Sequence, residues 1–309
     1  MAETFMIVLR QTLVIVLLMG IGFFCGKRKI LDDASANGLN QFVCTFVITC
    51  ACISGFMVEC TQERARSFLW GLVSGLGLHV LNYLVAMVFY RKDKDGRRWL
   101  HRVTLLLTNC GFMGFPMLTA VLGEDGVFFG LPFFAVMVIA SWTAGPAIVS
   151  EDPREIQAKS ILQKPPIWGV VAGLILFLFS VKLPAVLNNT VGFVSALNTP
   201  MPMILVGYYM IRVDFRPLLK DIRFWGNTAL RLVILPLLSM GILLLFGVSG
   251  PTLIAMVICN ACPPAAVVSL LARKYGKDAA TSSAYTSLQT LLSVATMPPV
   301  IALCALLAK

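Results

Sequence analysis

The chain has 309 residues, 58% of them hydrophobic and 13% charged, with 25 Lys plus Arg against 15 Asp plus Glu. A soluble fold of this size cannot screen so much apolar surface with so few charges, and disorder needs the opposite composition. The net charge of +10 points to nucleic acid only on a water-soluble fold with a clustered basic face. What the composition leaves is an all-α polytopic membrane protein.

A helix needs roughly 20 apolar residues to cross about 30 Å of hydrocarbon. Ten such runs follow one another at 5–26, 38–58, 68–90, 100–122, 126–149, 166–183, 186–211, 224–247, 250–272 and 280–307. The first is not a secretory signal, because Glu3 precedes it and Lys27, Arg28 and Lys29 follow it. The second, seventh and tenth are rich in Ser, Thr, Asn and Cys and are expected to face protein more than lipid. Gly123–Gly126 and Val248–Gly250 are short enough only for helical hairpins. The nine cysteines, most of them within apolar runs, read as small buried hydrophobes and not as a disulfide framework.

The basic residues divide unevenly between the two sides. Connectors after odd-numbered spans hold Lys27, Arg28 and Lys29, then Arg91, Lys92, Lys94, Arg97, Arg98 and Arg102, then Arg154, Lys159 and Lys164. Further along they hold Arg212, Arg216, Lys220 and Arg223, then Arg273, Lys274 and Lys277. Only Arg64, Arg66, Lys182 and Lys309 fall on the other side. The positive-inside rule then puts both termini outside the cytoplasmic membrane and the odd connectors in the cytoplasm, against anionic lipid headgroups.

Span four contains Thr108-Asn109-Cys110-Gly111-Phe112-Met113-Gly114-Phe115-Pro116, and span nine contains Cys259-Asn260-Ala261-Cys262-Pro263-Pro264. Each begins with Asn in an apolar run, continues into helix breakers, and later reaches a Gly with an acid close behind (Gly123-Glu124 and Gly276-Lys277-Asp278). Paired interruptions at corresponding places in two halves mark the binding site of many transporters. Residues 1–150 and 166–309 are therefore read as two inverted five-helix repeats around a cytoplasmic linker, 151–165. Broken helices that cross present free N–H groups and positive half-helix ends, which suit a carboxylate. The candidate substrate-binding residues are Asn109, Cys110, Gly111, Gly114, Pro116, Asn260, Cys262, Pro263 and Pro264.

At these residues the chain resembles the auxin efflux carrier family, which includes bacterial dicarboxylate carriers and plant PIN-type carriers. The resemblance rests on Asn109 to Pro116 followed by Gly123, and on Asn260 to Pro264 followed by Tyr275-Gly276. It extends through Gly20-Ile-Gly22, Lys29-Ile-Leu-Asp32, Thr199-Pro200-Met-Pro202 with Gly207, and Arg231 ahead of Pro236. It implies ten helices in two inverted repeats, an organic anion held where helices four and nine cross, an elevator-like motion and a homodimer. The proline that many relatives carry in the second span is absent from Val47–Cys52. The short linker lacks the long hydrophilic insert of many plant carriers.

No Asp or Glu falls in the central part of any span, which argues against a carboxylate-based proton antiport site. Accessory candidates are Gln289 and Thr290 in the hydroxyl-rich tenth span, His79 at mid-span, and Arg231, which either draws anions to an inner vestibule or snorkels to lipid phosphate. Cys259-Asn-Ala-Cys262 without a His or a second pair is weak metal evidence, so no metal or cofactor is expected. Gly22/Gly26, Gly71/Gly75 and Gly169/Gly173 permit close helix contacts, either within the chain or between copies. The expected activity is secondary transport of a small carboxylate such as malate, malonate or an auxin-like acid. The alternatives are a sodium-coupled symporter of similar fold and a non-transporting sensor; no catalytic constellation is present.

Overall fold

The computed structural model describes residues 2–93, 96–156 and 161–308, with Arg212 described by its backbone alone. Lys94, Lys159 and Lys309 from the charge pattern lie outside the described residues. The described chain is helical throughout, with α1 (Ala2–Lys27), α2 (Asp33–Gly55), α3 (Gln62–Phe89), α4 (Arg98–Leu106), α5 (Cys110–Leu122) and α6 (Gly126–Ser150). There follow α7 (Pro165–Leu178), α8 (Ala185–Tyr209), α9 (Ile222–Leu245), α10 (Gly250–Ala261), α11 (Val267–Lys274) and α12 (Ala279–Leu307). Seven of these are long and apolar enough to cross a membrane; α5, α7 and α10 are shorter apolar helices.

Local chemistry sets the helix starts. Asp32, Thr61, Asp221 and Asp278 each accept a backbone N–H from the first turn of the helix that follows, at 2.8, 3.2, 2.9 and 2.9 Å, which satisfies a donor the helix cannot. Gly123 turns α5 into α6 at φ +82°, a backbone region that glycine enters without steric cost. The expected sixth span, 166–183, ends instead at Leu178, where Ser180 adopts φ +52°.

The packing is inverted relative to a water-soluble protein. Large apolar side chains such as Leu245 (87% exposed), Phe193 (78%) and Val88 (73%) point outward. Asn82, His101, Asn227, Arg231, Asn260 and Gln289 are buried. An apolar exterior over a hydrogen-bonded polar interior suits lipid as solvent. The main core lies where α5, α6 and α10 meet, around Met113, Phe128, Phe133 and Met256.

The three glycine pairs all act within the chain. A Cβ at Gly22 on α1 would collide with the Ile204 carbonyl of α8, and one at Gly207 on α8 with the Met19 carbonyl of α1. Gly71 and Gly75 admit Pro132 and Phe133 of α6, while Gly169 and Gly173 of α7 admit Thr49 of α2 and Phe56 just past its end.

Two expectations need correcting. Only 28% of the apolar window of α2 and of α8 is buried, against 61% in α6. Asn37, Asn40, Cys44 and Thr45 of α2 line cavities, and Ala185–Ala196 of α8 has no buried residue. Of the cysteines expected inside, Cys44 is exposed, on a face that borders a cavity, and Cys25 and Cys50 are half-buried.

Ion pairs knit the connectors into two groups. Arg97–Asp221 (2.9 Å), Arg98–Glu151 (2.8 Å), Lys277–Glu151 (3.2 Å) and Arg223–Asp93 (3.5 Å) join the segments that follow α3, α6, α8 and α11. Arg64–Asp125 joins the segments after α2 and α5, and the Gly250 N–H meets the Ala308 carbonyl at 3.0 Å.

Candidate functional site

The second interruption falls at its prolines, and the first falls just ahead of its glycines and of Pro116. In the second, Cys262 precedes Pro263 and is extended at ψ 145°, since a residue before proline avoids the helical region. In the first, Leu107 is extended at ψ 112° and Asn109 sits at ψ 42°, after which Cys110–Gly114 forms a wide π turn at the start of α5.

The breaks lie side by side. Thr108 and Pro264 face each other in an isolated antiparallel bridge. The Asn109 N–H donates to the Pro263 carbonyl at 2.8 Å, and the Ala265 N–H donates to the Leu107 carbonyl at 3.0 Å. Each break thus satisfies backbone groups that the other exposes, and leaving each unpaired in a buried setting would cost about 1–3 kcal/mol.

The half-helix ends then sort by sign. The C-terminal ends of α4 and α10 both turn to Arg231, which is fully buried. Its Nη1 donates to the Leu105 carbonyl at 3.3 Å and its Nη2 to the Cys262 carbonyl at 2.7 Å. A cation at helix C-termini complements the negative dipole end. Neither role expected of Arg231 holds, since the side chain reaches neither vestibule nor lipid phosphate but bridges the two breaks.

The opposite, positive ends start at Asn109 and Ala266, which border two cavities. The larger, about 370 Å³, is mainly apolar, with Ile48, Phe112, Phe134 and Trp142 as walls and Thr108 and Asn109 at the break. Lys164 stands at its mouth with Nζ 3.6 Å from the Trp142 ring centroid, and burial pushes its ammonium down from its ordinary value. The smaller, about 160 Å³, is the more polar of the two, with amides from Asn37, Asn40 and Asn109, hydroxyls from Ser269, Thr286 and Thr290, and Arg273. Among the described residues no Asp or Glu lines either cavity.

The expected site residues separate into three settings. Asn109, Gly111, Pro264 and Thr290 line the cavities, and Pro263 supplies a bridging carbonyl. Cys110, Gly114 and Cys262 form the buried contact between α5 and α10; a Cβ at Gly114 would stand 3.3 Å from the Cys262 Sγ. Pro116 lies in the first turn of the regular part of α5 and lines neither cavity.

Asn260, Gln289 and His79 stand elsewhere. The Asn260 Oδ1 accepts from Asn82 at 2.7 Å and its Nδ2 donates to Ser239 at 2.6 Å. The Gln289 amide donates to Asn227 at 3.1 Å and Thr228 at 2.9 Å. His79 bonds the Gly75 carbonyl through Nδ1 at 2.8 Å and packs on Phe133.

Sequence reasoning missed Thr108, whose buried hydroxyl at the larger cavity has no hydrogen-bond partner among the described residues. It also missed Asn40, which borders both cavities, and Asn198, whose Nδ2 donates to the Gly111 carbonyl at 2.8 Å. For the two asparagines the available signal was an amide in a long apolar segment, the one that marked Asn109.

An apolar exterior around two interrupted helices whose backbones complete each other defines a membrane transporter. A family model described as membrane transport protein matches residues 7–301, and the chain belongs to that family, the auxin efflux carrier family that its motifs resemble. It is similar to the uncharacterized transporter YfdV of Escherichia coli K12, at 22% identity over 92% of this chain and 93% of that protein. An uncharacterized transporter of Methanothermobacter thermautotrophicus is 23% identical over 93% of this chain and 94% of its own length. One from Methanocaldococcus jannaschii is 23% identical over 88% and 91%.

Proposed function

We propose that the chain is a secondary carrier of a small organic carboxylate, working by alternating access of the paired breaks to the two sides of the cytoplasmic membrane. The observation that carries this reading is the sorting of half-helix ends. Negative ends are neutralised by Arg231, while positive ends and the Asn109 amide border cavities without acidic side chains. Such a place favours an anion and disfavours a cation. Substrate contacts are assigned to Asn109, Thr108, Gly111, Pro264 and Thr290. Asn260, Cys262 and Pro263 hold the crossing in shape.

In the same reading the chain makes ten crossings, as inverted halves 1–150 and 166–309 joined by 151–165, with both termini outside. The grouping of connectors supports it, because ion pairs join segments after odd-numbered crossings to one another, and Arg64–Asp125 joins two even ones. The elevator-like motion and the homodimer come from the family resemblance.

The test is counterflow in proteoliposomes with malate, malonate, lactate and aromatic carboxylates. At least one carboxylate exchanges, and Asn109→Ala lowers its transport about tenfold or more, as expected for loss of a hydrogen bond to a charged ligand. Asn260→Ala acts first on thermal stability, since it leaves Asn82 and Ser239 without their partner. Wild-type transport by Asn109→Ala removes the site. Failure of every carboxylate removes the substrate class, and strict sodium dependence replaces the uncoupled form with a sodium-coupled symporter.

A further inference from the structure

A third opening, of about 580 Å³, lies between α3, α4 and the C-terminal part of α6, and neither transport cavity shares it. One end carries Arg98 and Arg102, a helical turn apart at the start of α4, beside Glu151. The remainder is lined mainly by apolar side chains, of which Leu76, Val80 and Ile139 are 57%, 49% and 44% exposed.

The dimensions match half a bilayer. The α3 lining runs from Leu76 to Met87 and the α6 lining from Val136 to Ile148, which at 1.5 Å per residue are about 16 Å and about 18 Å. One leaflet of hydrocarbon is about 15 Å deep, half of the full core. The charged end is the connector end, because Arg102 donates to the Tyr90 carbonyl at 3.1 Å and Arg98 pairs with Glu151 just beyond α6.

The charge there is positive in balance. Arg98, Arg102 and Lys277 gather around the carboxylate of Glu151, and Asp93, the other described acid that acts on Arg102, is itself paired with Arg223. The Arg98 guanidinium holds that carboxyl below the usual carboxylate range, so it is ionised at neutral pH and offsets one of the three cations. Each arginine fork gives one Nη to a protein acceptor and keeps further N–H donors, the fork geometry that phosphate oxygens accept.

We propose that this groove is a binding site for one phospholipid of the adjoining leaflet, its anionic phosphodiester headgroup on Arg98 and Arg102 and an acyl chain along Leu76, Val80, Val136 and Ile139. The site bears on transport through α4. That helix carries the arginines at its start and Leu106 of the groove wall at its end, one residue before the Leu107 carbonyl that pairs with Ala265. A lipid seated along α4 braces the half-helix that leads into the paired breaks. This inference does not rest on the carboxylate reading and stands or falls separately from it.

The experiment uses the full chain purified in an uncharged detergent. It is titrated with phosphatidylglycerol, with phosphatidylcholine of the same acyl chains, and with glycerol 3-phosphate, following the unfolding temperature and bound lipid by native mass spectrometry. Phosphatidylglycerol raises the unfolding temperature and is retained as one tight copy, while the other two do neither. Removing two cations near a lipid surface weakens phosphatidylglycerol binding about thirtyfold in Arg98→Gln/Arg102→Gln. Ile139→Trp, which fills the groove from an exposed position and leaves every charge in place, also abolishes the shift. An equal response to phosphatidylcholine, a response to glycerol 3-phosphate alone, or an undiminished phosphatidylglycerol shift in either variant overturns the proposal.

Discussion

Arg231 concentrates the electrostatics of the crossing in one side chain. A guanidinium without water costs several kcal/mol unless its donors are met, and here two carbonyls at helix C-termini meet one donor on each Nη, while Nε has no partner among the described residues. Those carbonyls are freed because α4 and α10 stop, so the cation and the breaks stabilise each other. Arg231→Met leaves both carbonyls short of a donor and is expected to destabilise by about 2–5 kcal/mol, read as a fall of several degrees in unfolding temperature. Arg231→Gln keeps an amide donor without the charge. It is expected to raise the apparent KM of the transported anion several-fold, and Arg231→Lys, which keeps charge but loses the fork, to raise it less. Equal KM values in all three would leave Arg231 a structural cap alone.

At the scale of helices, glycine decides which pairs touch backbone to backbone. Gly22 and Gly207 each sit on a carbonyl of the other's helix, so α1 and α8 cross at their closest approach and gain contacts that lipid cannot supply. Gly22→Leu is expected to force the helices apart and cost about 2 kcal/mol or more. Gly20→Leu, two residues away in open space, serves as the control; comparable unfolding temperatures for the two variants would refute the close crossing. Breaks and hairpin turns were legible in the sequence because Pro and Gly act through their own backbone or the next turn. The partners of Asn260 were not, because the face it presents follows from how α10 packs on α3 and α9. The same limit hid Arg231, for its acceptors come from two other parts of the chain. Wide π turns interrupt α2 at Val43–Val47, α5 at Cys110–Gly114 and α9 at Leu230–Ile234. All three adjoin the cavities or Arg231, and such turns recur at functional sites.

For the whole molecule the decisive quantity is the side on which charge collects. Positive connectors resist translocation, and the basic segments after α1, α3, α6, α8 and α11 outweigh those between. The structure adds an independent constraint, because ion pairs gather four of these segments on one face, whereas Ala308 meets Gly250 of a weakly charged connector. The proposed orientation therefore expects the C-terminal end and the connector that contains Lys277 on opposite sides. A green fluorescent protein joined after Lys277 is expected to fluoresce, and one exported through the translocon after Ala308 to stay dark. Alkaline phosphatase, active only outside, should give the reverse pattern at the same two positions. Fluorescence at both would mean an odd number of crossings was miscounted between Lys277 and Ala308, where α12 alone lies. Inverted signals at both would put the basic connectors outside and refute the orientation on which the anion's route through the membrane depends.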